Sequence, residues 1–259
     1  KPGKIYASRY LSSPLGLALR LERTPIIAWT IGMLVLGVAY GSLLGELEGF
    51  LVTSDLVQQM IPTVEGMSLT QSFVTMLITI ISVLGTVPVL LFVLKLSSEE
   101  KKQRISQLLA TPASRNSLIG SYTFIGLVSS FVMQFVSILA LWYAGTFVME
   151  DALSFKILAK AAFVNLPSMC VFVGVAVFLI GFLPKLTGLS WVYLIYSFFV
   201  EYIGEILQLP DWMAKLSPFH HVPSVPAEEV KVATLLIITG VAVLLIVLGF
   251  VGYNRRDIE

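Results

Sequence analysis

Charge and cysteine are both scarce in this sequence. Only 13% of its 259 residues are charged, about half of the ~25% that is usual in soluble domains. Its one cysteine, Cys170, lies within an apolar stretch, which excludes a disulfide framework and a Cys/His metal cluster. No G-x-x-x-x-G-K-[ST] phosphate loop occurs either. We therefore expect no catalytic residue, no metal site and no cofactor bound by this chain.

Long apolar stretches take the place of these features. Hydrophobic residues make up 56% of the chain, and many stand in runs of about 20, enough for a helix to cross a hydrocarbon core of ~30 Å. The runs do not alternate apolar and polar residues, so barrel strands are not expected. The sequence predicts one all-α integral membrane domain, residues 1–259, with six transmembrane helices. The predicted spans are 25–45, 72–94, 118–143, 161–183, 189–206 and 232–253.

Lysine and arginine are distributed unevenly between the loops. If the first residue is cytoplasmic, all but four of the 17 basic residues lie on the cytoplasmic side. The exceptions are Lys156, Lys160, Lys215 and Lys231. Cytoplasmic loops carry such an excess of positive charge, so both termini are predicted to be cytoplasmic.

Two segments outside the spans have a distinctive pattern. Residues 1–24 form a predicted cytoplasmic tail, in which Pro14 to Arg23 is amphipathic and suits a helix in the membrane interface with its leucines in lipid. Pro25 then suits the first turn of the first span. Residues 207–231 are rich in proline and aromatics, which predicts a short external re-entrant or interfacial structure.

Residues 95–117 form the one substantial cytoplasmic loop. Ser97 and Glu100 have capping-box spacing, which predicts a helix that begins at Ser97 and ends at Pro112. The apolar edge of this helix comprises Ile105, Leu108 and Leu109. Such a helix can rest on the lipid surface, or it can dock into a groove of a cytoplasmic partner.

The loop resembles a known signature. From Glu99 to Arg115 it is similar to the "E…R…LLATP.SR" pattern of ABC type-2 exporter permeases. Residues 216–219 and 255–257 resemble the "LSPF … RRD" ending of the same family. Residues 13–20, with Trp29 and Gly32, resemble the start of the second half of polyketide-antibiotic (tetronasin-type) exporter permeases, in which two six-span halves are fused.

The resemblance implies a bacterial plasma-membrane permease of an ATP-binding-cassette exporter. It would move a hydrophobic or amphipathic antibiotic, drug or lipid-like compound out of the cell. The ATP and Mg would be bound by a separate ATPase subunit, as a dimer, which would dock on the loop as a coupling helix. Further implied partners are a second six-span half and membrane lipid, with no nucleic acid. The coupling residues would be Glu99, Glu100, Arg104, Leu108, Leu109, Pro112 and Arg115.

Three glycines, Gly37, Gly41 and Gly45, recur at four-residue spacing in the first predicted span. They put three positions without side chains on one helix face, where another helix can approach closely. The neighbour is either a helix of the same bundle or the second six-span half, which the resemblance favours.

Polar residues near the predicted outer side allow two interpretations. Glu201 and Glu205 either extend to the interface or line an exit vestibule. His220 and His221 fit an interfacial turn better than a metal or proton-relay site. Gln134, like Asn165, is expected to hydrogen-bond between helices.

A second function class remains open from the sequence. A non-transporting membrane sensor or scaffold would also carry a loop that docks a cytoplasmic signalling partner. The partner distinguishes the two classes, because an exporter needs a phosphate-loop ATPase and a sensor needs a kinase or regulator.

Overall fold

The protein is described by a computed structural model over residues 13–45, 69–101, 114–149, 154–204, 207, 209–223, 225 and 230–256. These ranges are helical and contain no strand. The helices are α1 (Pro14–Leu43), α2 (Leu69–Lys101), α3 (Arg115–Val148), α4 (Phe155–Phe163), α5 (Leu166–Phe182), α6 (Leu189–Ile203), α7 (Asp211–Ala214) and α8 (Val232–Arg255). Two 3-10 turns cover Pro184–Leu186 and Phe219–His221.

The prediction of an all-α membrane domain is confirmed. Within the described ranges, five segments are long and apolar enough to cross a membrane, namely α1, α2, α3, α4 with α5, and α8. The apolar helix α6 has 15 residues and is therefore only about 22 Å long. A sixth span remains a prediction, because residues 205 and 206 of the expected span lie outside the described residues.

The predicted interfacial helix from Pro14 to Arg23 is wrong as a separate element. The chain forms one continuous helix from Pro14 to Leu43, with Ser13 as its N-cap and Pro25 in its interior. Ala18 and Glu22 in its first turns are buried. This half of α1 therefore packs against the bundle, and neighbouring helices make an interior proline tolerable.

The predicted helix start at Ser97 is also wrong. Ser97 lies inside α2, which continues to Lys101, and its side chain is buried. No proline or glycine interrupts α2 between Pro88 and Lys101, so nothing in the backbone stops the hydrogen-bond ladder at the capping-box residues. The second span and the start of the loop are thus one rigid element.

The fourth predicted span is divided near its beginning. α4 ends at Phe163, and α5 begins at Leu166 after a turn. Pro167 explains the division, because its ring would clash with the carbonyl of Phe163 in a continuous helix. The predicted stop before Pro184 is confirmed, since α5 ends at Phe182.

α2 and α5 are the central helices of the bundle, whereas α1 and α8 lie at its periphery. Fully buried side chains from the inner helices fill the core, including Ile81, Phe92, Met133, Phe172 and Ile180. The peripheral helices present apolar side chains outward, such as Ile31 on α1 and Leu244 on α8, as expected of helices in lipid.

Helix directions bring both described ends of the chain to one end of the bundle. Along α1, Gly37 and Gly41 meet Ser137 and Leu141 of α3 in the same order, so α1 and α3 run parallel. The start of α3 lies against the end of α8, where Arg115 reaches the carbonyl oxygen of Arg256. The start of α1, the end of α2, the start of α3 and the end of α8 therefore share this end.

Candidate functional site

Three helix ends meet in a cluster that we call the terminal junction: Glu100, Arg115, Asn116, Asn254 and Arg256. Arg115 Nη1 donates to the carbonyl oxygens of Arg256 at 2.7 Å and Asn254 at 3.3 Å. Asn254 Nδ2 donates to Asn116 Oδ1. Arg256 forms a charge-assisted hydrogen bond with Glu100. The ends of α2, α3 and α8 are thereby fastened to one another.

The ion pair of the terminal junction is shielded from water. The side chains of Glu100 and Arg256 are 10% and 18% exposed, and the Arg256 guanidinium lies 4.9 Å from the ring centroid of the buried Tyr253. A charge pair in such surroundings is screened less than a surface pair, and removing one partner leaves the other buried and unpaired. The junction therefore resists separation of α2 from α8.

Two further carboxylates are buried beside the junction. Glu99 Oε1 lies 3.8 Å from Lys95 Nζ, and both groups lie within electrostatic range of Glu22 on α1. The Glu22 side chain is buried, and its Oε1 atom has no hydrogen-bond partner among the described residues. α1 therefore places a buried acid next to the end of α2.

Sequence reasoning missed Glu22. The buried face of α1 contains Ala18, Glu22, Met33, Gly37 and Gly41. Extending the glycine row backward in steps of three and four residues leads to Glu22. Because residues 14–23 were expected to form a separate interfacial helix, the row of small residues was not extended back to Glu22.

The terminal junction lies at both ends of the predicted coupling loop. Within the predicted loop, residues 95–117, Glu99 and Glu100 lie near the start and Arg115 near the end, and Glu100 and Arg115 belong to the junction. The other predicted coupling residues lie outside the described residues: Arg104, Leu108, Leu109 and Pro112. The coupling role of all seven residues stays a prediction. A displacement of the loop would act on α2, α3 and α8 together.

The predicted glycine row faces α3 of the same chain. A Cβ atom added to Gly37, Gly41 or Gly45 would lie 2.3, 2.5 or 2.7 Å from an atom of α3. Glycine is thus required for the close approach of the two backbones. Of the two neighbours considered from the sequence, this row contacts the helix of the same bundle.

A second close approach, between α5 and α8, was not foreseen. A Cβ at Gly181 would lie 2.2 Å from the carbonyl oxygen of Gly249, and one at Gly249 would lie 2.5 Å from that of Val177. The available signal was the seven-residue spacing of Gly174 and Gly181, which lie on one face of α5. α8 is held against the bundle along this seam and at the terminal junction.

The expected interhelical hydrogen bond of Gln134 is confirmed. Its Nε2 donates to Ser82 Oγ at 2.8 Å and to the carbonyl oxygen of Ala162 at 3.2 Å. It therefore joins α3 to α2 and α4. The interhelical hydrogen bond expected of Asn165 is not what the structure shows for its Nδ2 atom. This atom donates to the carbonyl oxygen of Ala161 in the preceding helical turn.

The polar residues of the opposite end are only partly described. Glu201 is half-buried near the end of α6, next to Tyr202, while Glu205 lies outside the described residues. His221 Nε2 lies at hydrogen-bond distance, 2.8 Å, from the carbonyl oxygen of Lys215. In the described part of the chain, no three His, Cys, Asp or Glu residues are grouped to hold a metal ion. Because Glu205 is not described, an exit vestibule lined by Glu201 and Glu205 stays a prediction.

Comparison with known proteins gives the family. Residues 11–254 match the family described as "Multidrug efflux system permease Rv1217c, C-terminal domain". The multidrug efflux system permease protein Rv1217c of Mycobacterium tuberculosis (strain ATCC 25618 / H37Rv) is 28% identical over 261 residues. The alignment covers all of this chain and 48% of that protein, so the chain spans about half the length of the curated relative it matches. Several helices are long and apolar enough to cross a membrane, and the chain is a multi-pass plasma-membrane protein. It belongs to the family of multidrug efflux permease C-terminal domains that this match defines.

Proposed function

We propose that this chain is one membrane-spanning half of an ATP-binding-cassette exporter. It moves a hydrophobic or amphipathic compound, such as an antibiotic, drug or lipid-like molecule, out of the cell. A dimeric ATPase subunit supplies the ATP hydrolysis, and a second six-span half completes the transport path. The relative's name, a multidrug efflux system permease protein, supports export of drugs.

The terminal junction carries this proposal. A coupling loop transmits force only if its two ends are anchored to helices that move. Glu100 and Arg115 anchor the loop to Arg256, the C-cap residue of α8. Coupling travels through packed and hydrogen-bonded elements that have alternative arrangements. The two signature regions of the sequence, the loop and the basic C-terminal end, lie far apart along the chain. The junction brings them together in space.

We infer a mechanism that these contacts support. Closure of the ATPase dimer pushes the loop helix toward the membrane, and the continuous helix α2 carries the movement from Glu100 into the bundle core. α3 and α8 move with it because they share the junction. The path formed with the second half then opens toward the outer side and releases the compound.

Affinity purification of the full-length protein from its native membrane tests this proposal. We expect a phosphate-loop ATPase to co-purify in stoichiometric amount, and its hydrolysis rate to rise when drugs of the right class are added. Recovery of a kinase or response regulator in its place would contradict the exporter and support a sensor. Recovery of the protein without an ATPase, from membranes that export drugs normally, would contradict the coupling mechanism.

A further inference from the structure

A cavity of about 340 Å³ lies at the end of the bundle opposite the terminal junction. It is bounded by α5, α6, residues 215–221 and the first turns of α8. Its volume is in the range of small-molecule binding sites. None of the functional residues considered so far lines it, apart from His221.

Hydrogen bonds fix the wall that the segment before α8 contributes. The hydroxyl groups of Tyr193 and Tyr196 on α6 donate to the carbonyl oxygens of Leu216 and Met213, each at 2.8 Å. Ser168 of α5 donates to the carbonyl oxygen of Pro218, also at 2.8 Å. Three side chains of two helices therefore hold the backbone of this segment in place, so the cavity is a built feature of the fold.

One end of the cavity is suited to an anion. Lys215 is exposed there, and Ser217 is fully buried with an Oγ atom that has no hydrogen-bond partner among the described residues. Thr234 of α8 also lines the cavity, and its backbone N–H donates to the carbonyl oxygen of Lys231. A cation and a hydroxyl group without a hydrogen-bond partner among the described residues thus both line the cavity, at Lys215 and Ser217.

The other end of the cavity is apolar and open along the outward face of α8. Ile238 forms its floor, while Ile237 and Val241 are 67% and 44% exposed on the outward face of α8. From Thr234 to Val241 the helix rises about 10 Å, roughly a third of the hydrocarbon thickness of a bilayer. A molecule within the leaflet can enter from the side.

We propose that this cavity binds an anionic phospholipid of the surrounding leaflet. The phosphate lies against Lys215 and Ser217, and one acyl chain follows Ile237 and Val241. Charge complementarity selects an acidic head group, and the lateral opening selects a molecule that already resides in the bilayer. A soluble anion would gain nothing from the apolar half of the cavity. The lipid site does not depend on the transport proposal.

Native mass spectrometry of the delipidated full-length protein tests this site. The protein is titrated with phosphatidylglycerol and with phosphatidylcholine of the same acyl chains, and we expect tighter binding of phosphatidylglycerol. Lys215→Glu should weaken phosphatidylglycerol binding about tenfold, because it replaces attraction by repulsion at the head group. Val241→Trp should weaken binding of both lipids by obstructing the acyl chain, and its exposed position tolerates the larger side chain.

Lys156→Glu is the matched control. Lys156 is an exposed lysine on α4 that does not line the cavity, so this variant changes net charge equally and should bind like wild type. Equal binding of the two lipids by wild type would overturn the assignment of an acidic head group. Equal effects of Lys215→Glu and Lys156→Glu would overturn the site, as would unchanged lipid binding by Val241→Trp. Displacement of the bound lipid by an exported drug at equal concentration would overturn the lipid as the resident ligand.

Discussion

At Gly41 the backbone of α1 comes so close to α3 that a Cβ atom would lie 2.5 Å from the carbonyl oxygen of Leu141. Gly41→Ala must therefore move the two helices apart, and we expect it to lower the free energy of unfolding by about 2 kcal/mol. Denaturation in mixed micelles measures the change. Gly32→Ala in the same helix is the control, since its Cβ would meet nothing within 4 Å. Equal losses in the two variants would contradict the packing of α1 on α3.

Gln134 is the second residue whose contribution can be measured directly. Hydrogen bonds between membrane helices are worth about 0.6–2 kcal/mol, so Gln134→Leu and Ser82→Ala should each cost about 1 kcal/mol of unfolding free energy. The double variant should cost clearly less than the sum of the two, because both remove the bond between Gln134 and Ser82. Strict additivity in this double-mutant cycle would show that the bond does not contribute.

Single residues were predictable where their type alone limits their surroundings. Glycines at four-residue spacing and a lone glutamine in an apolar helix both imply a helix–helix contact, and Gly41 and Gln134 make such contacts. Which helix is contacted is a tertiary property, and spacing could not decide it. Glu22 was missed because a charged residue near basic neighbours looks solvated until its burial is known.

At the scale of elements, the pair of Glu100 and Arg256 should fasten α2 to α8. Glu100→Arg or Arg256→Glu leaves like charges in a largely buried position, and each should lower the free energy of unfolding by about 2 kcal/mol. The swapped double variant should recover most of the loss, because it restores an ion pair. The melting temperature in detergent reports all three variants.

Arg255→Glu provides the matched control for this charge swap. Arg255 is exposed next to Arg256, so the variant makes the same charge change without touching the pair and should melt like wild type. If the double variant were as unstable as the two single variants combined, the role of the ion pair would be disproved.

Span centres were predictable from hydropathy, whereas several helix ends were not. The third and last predicted spans lie within α3 and α8. Local patterns failed at the other ends: a capping box did not start a helix at Ser97, and Pro25 did not open one. Helix ends depend on whether the preceding turn can continue, and packing against the bundle lets α1 and α2 continue past both residues.

At the scale of the whole molecule, the chain corresponds to about half of its relative. Its sequence allowed the membrane class and the family likeness to be predicted, since each depends on composition or a local motif. The convergence of the two loop ends with the C-terminal end was not foreseen, because it depends on how α8 packs against α5 and α3. That convergence places the described ends of the loop, at Glu100 and Arg115, against the C-terminal end of α8.

ATP-driven drug uptake into inverted membrane vesicles tests this account most directly. Vesicles that contain the full-length protein and its ATPase should take up drug. The double variant Leu108→Asp with Leu109→Asp should abolish this uptake and the drug-stimulated ATPase activity while leaving membrane insertion intact. Ser106→Asp adds charge to the same loop away from the predicted apolar edge and should retain uptake. Normal, ATP-dependent uptake by the double aspartate variant, still associated with its ATPase, would contradict the loop as the coupling element.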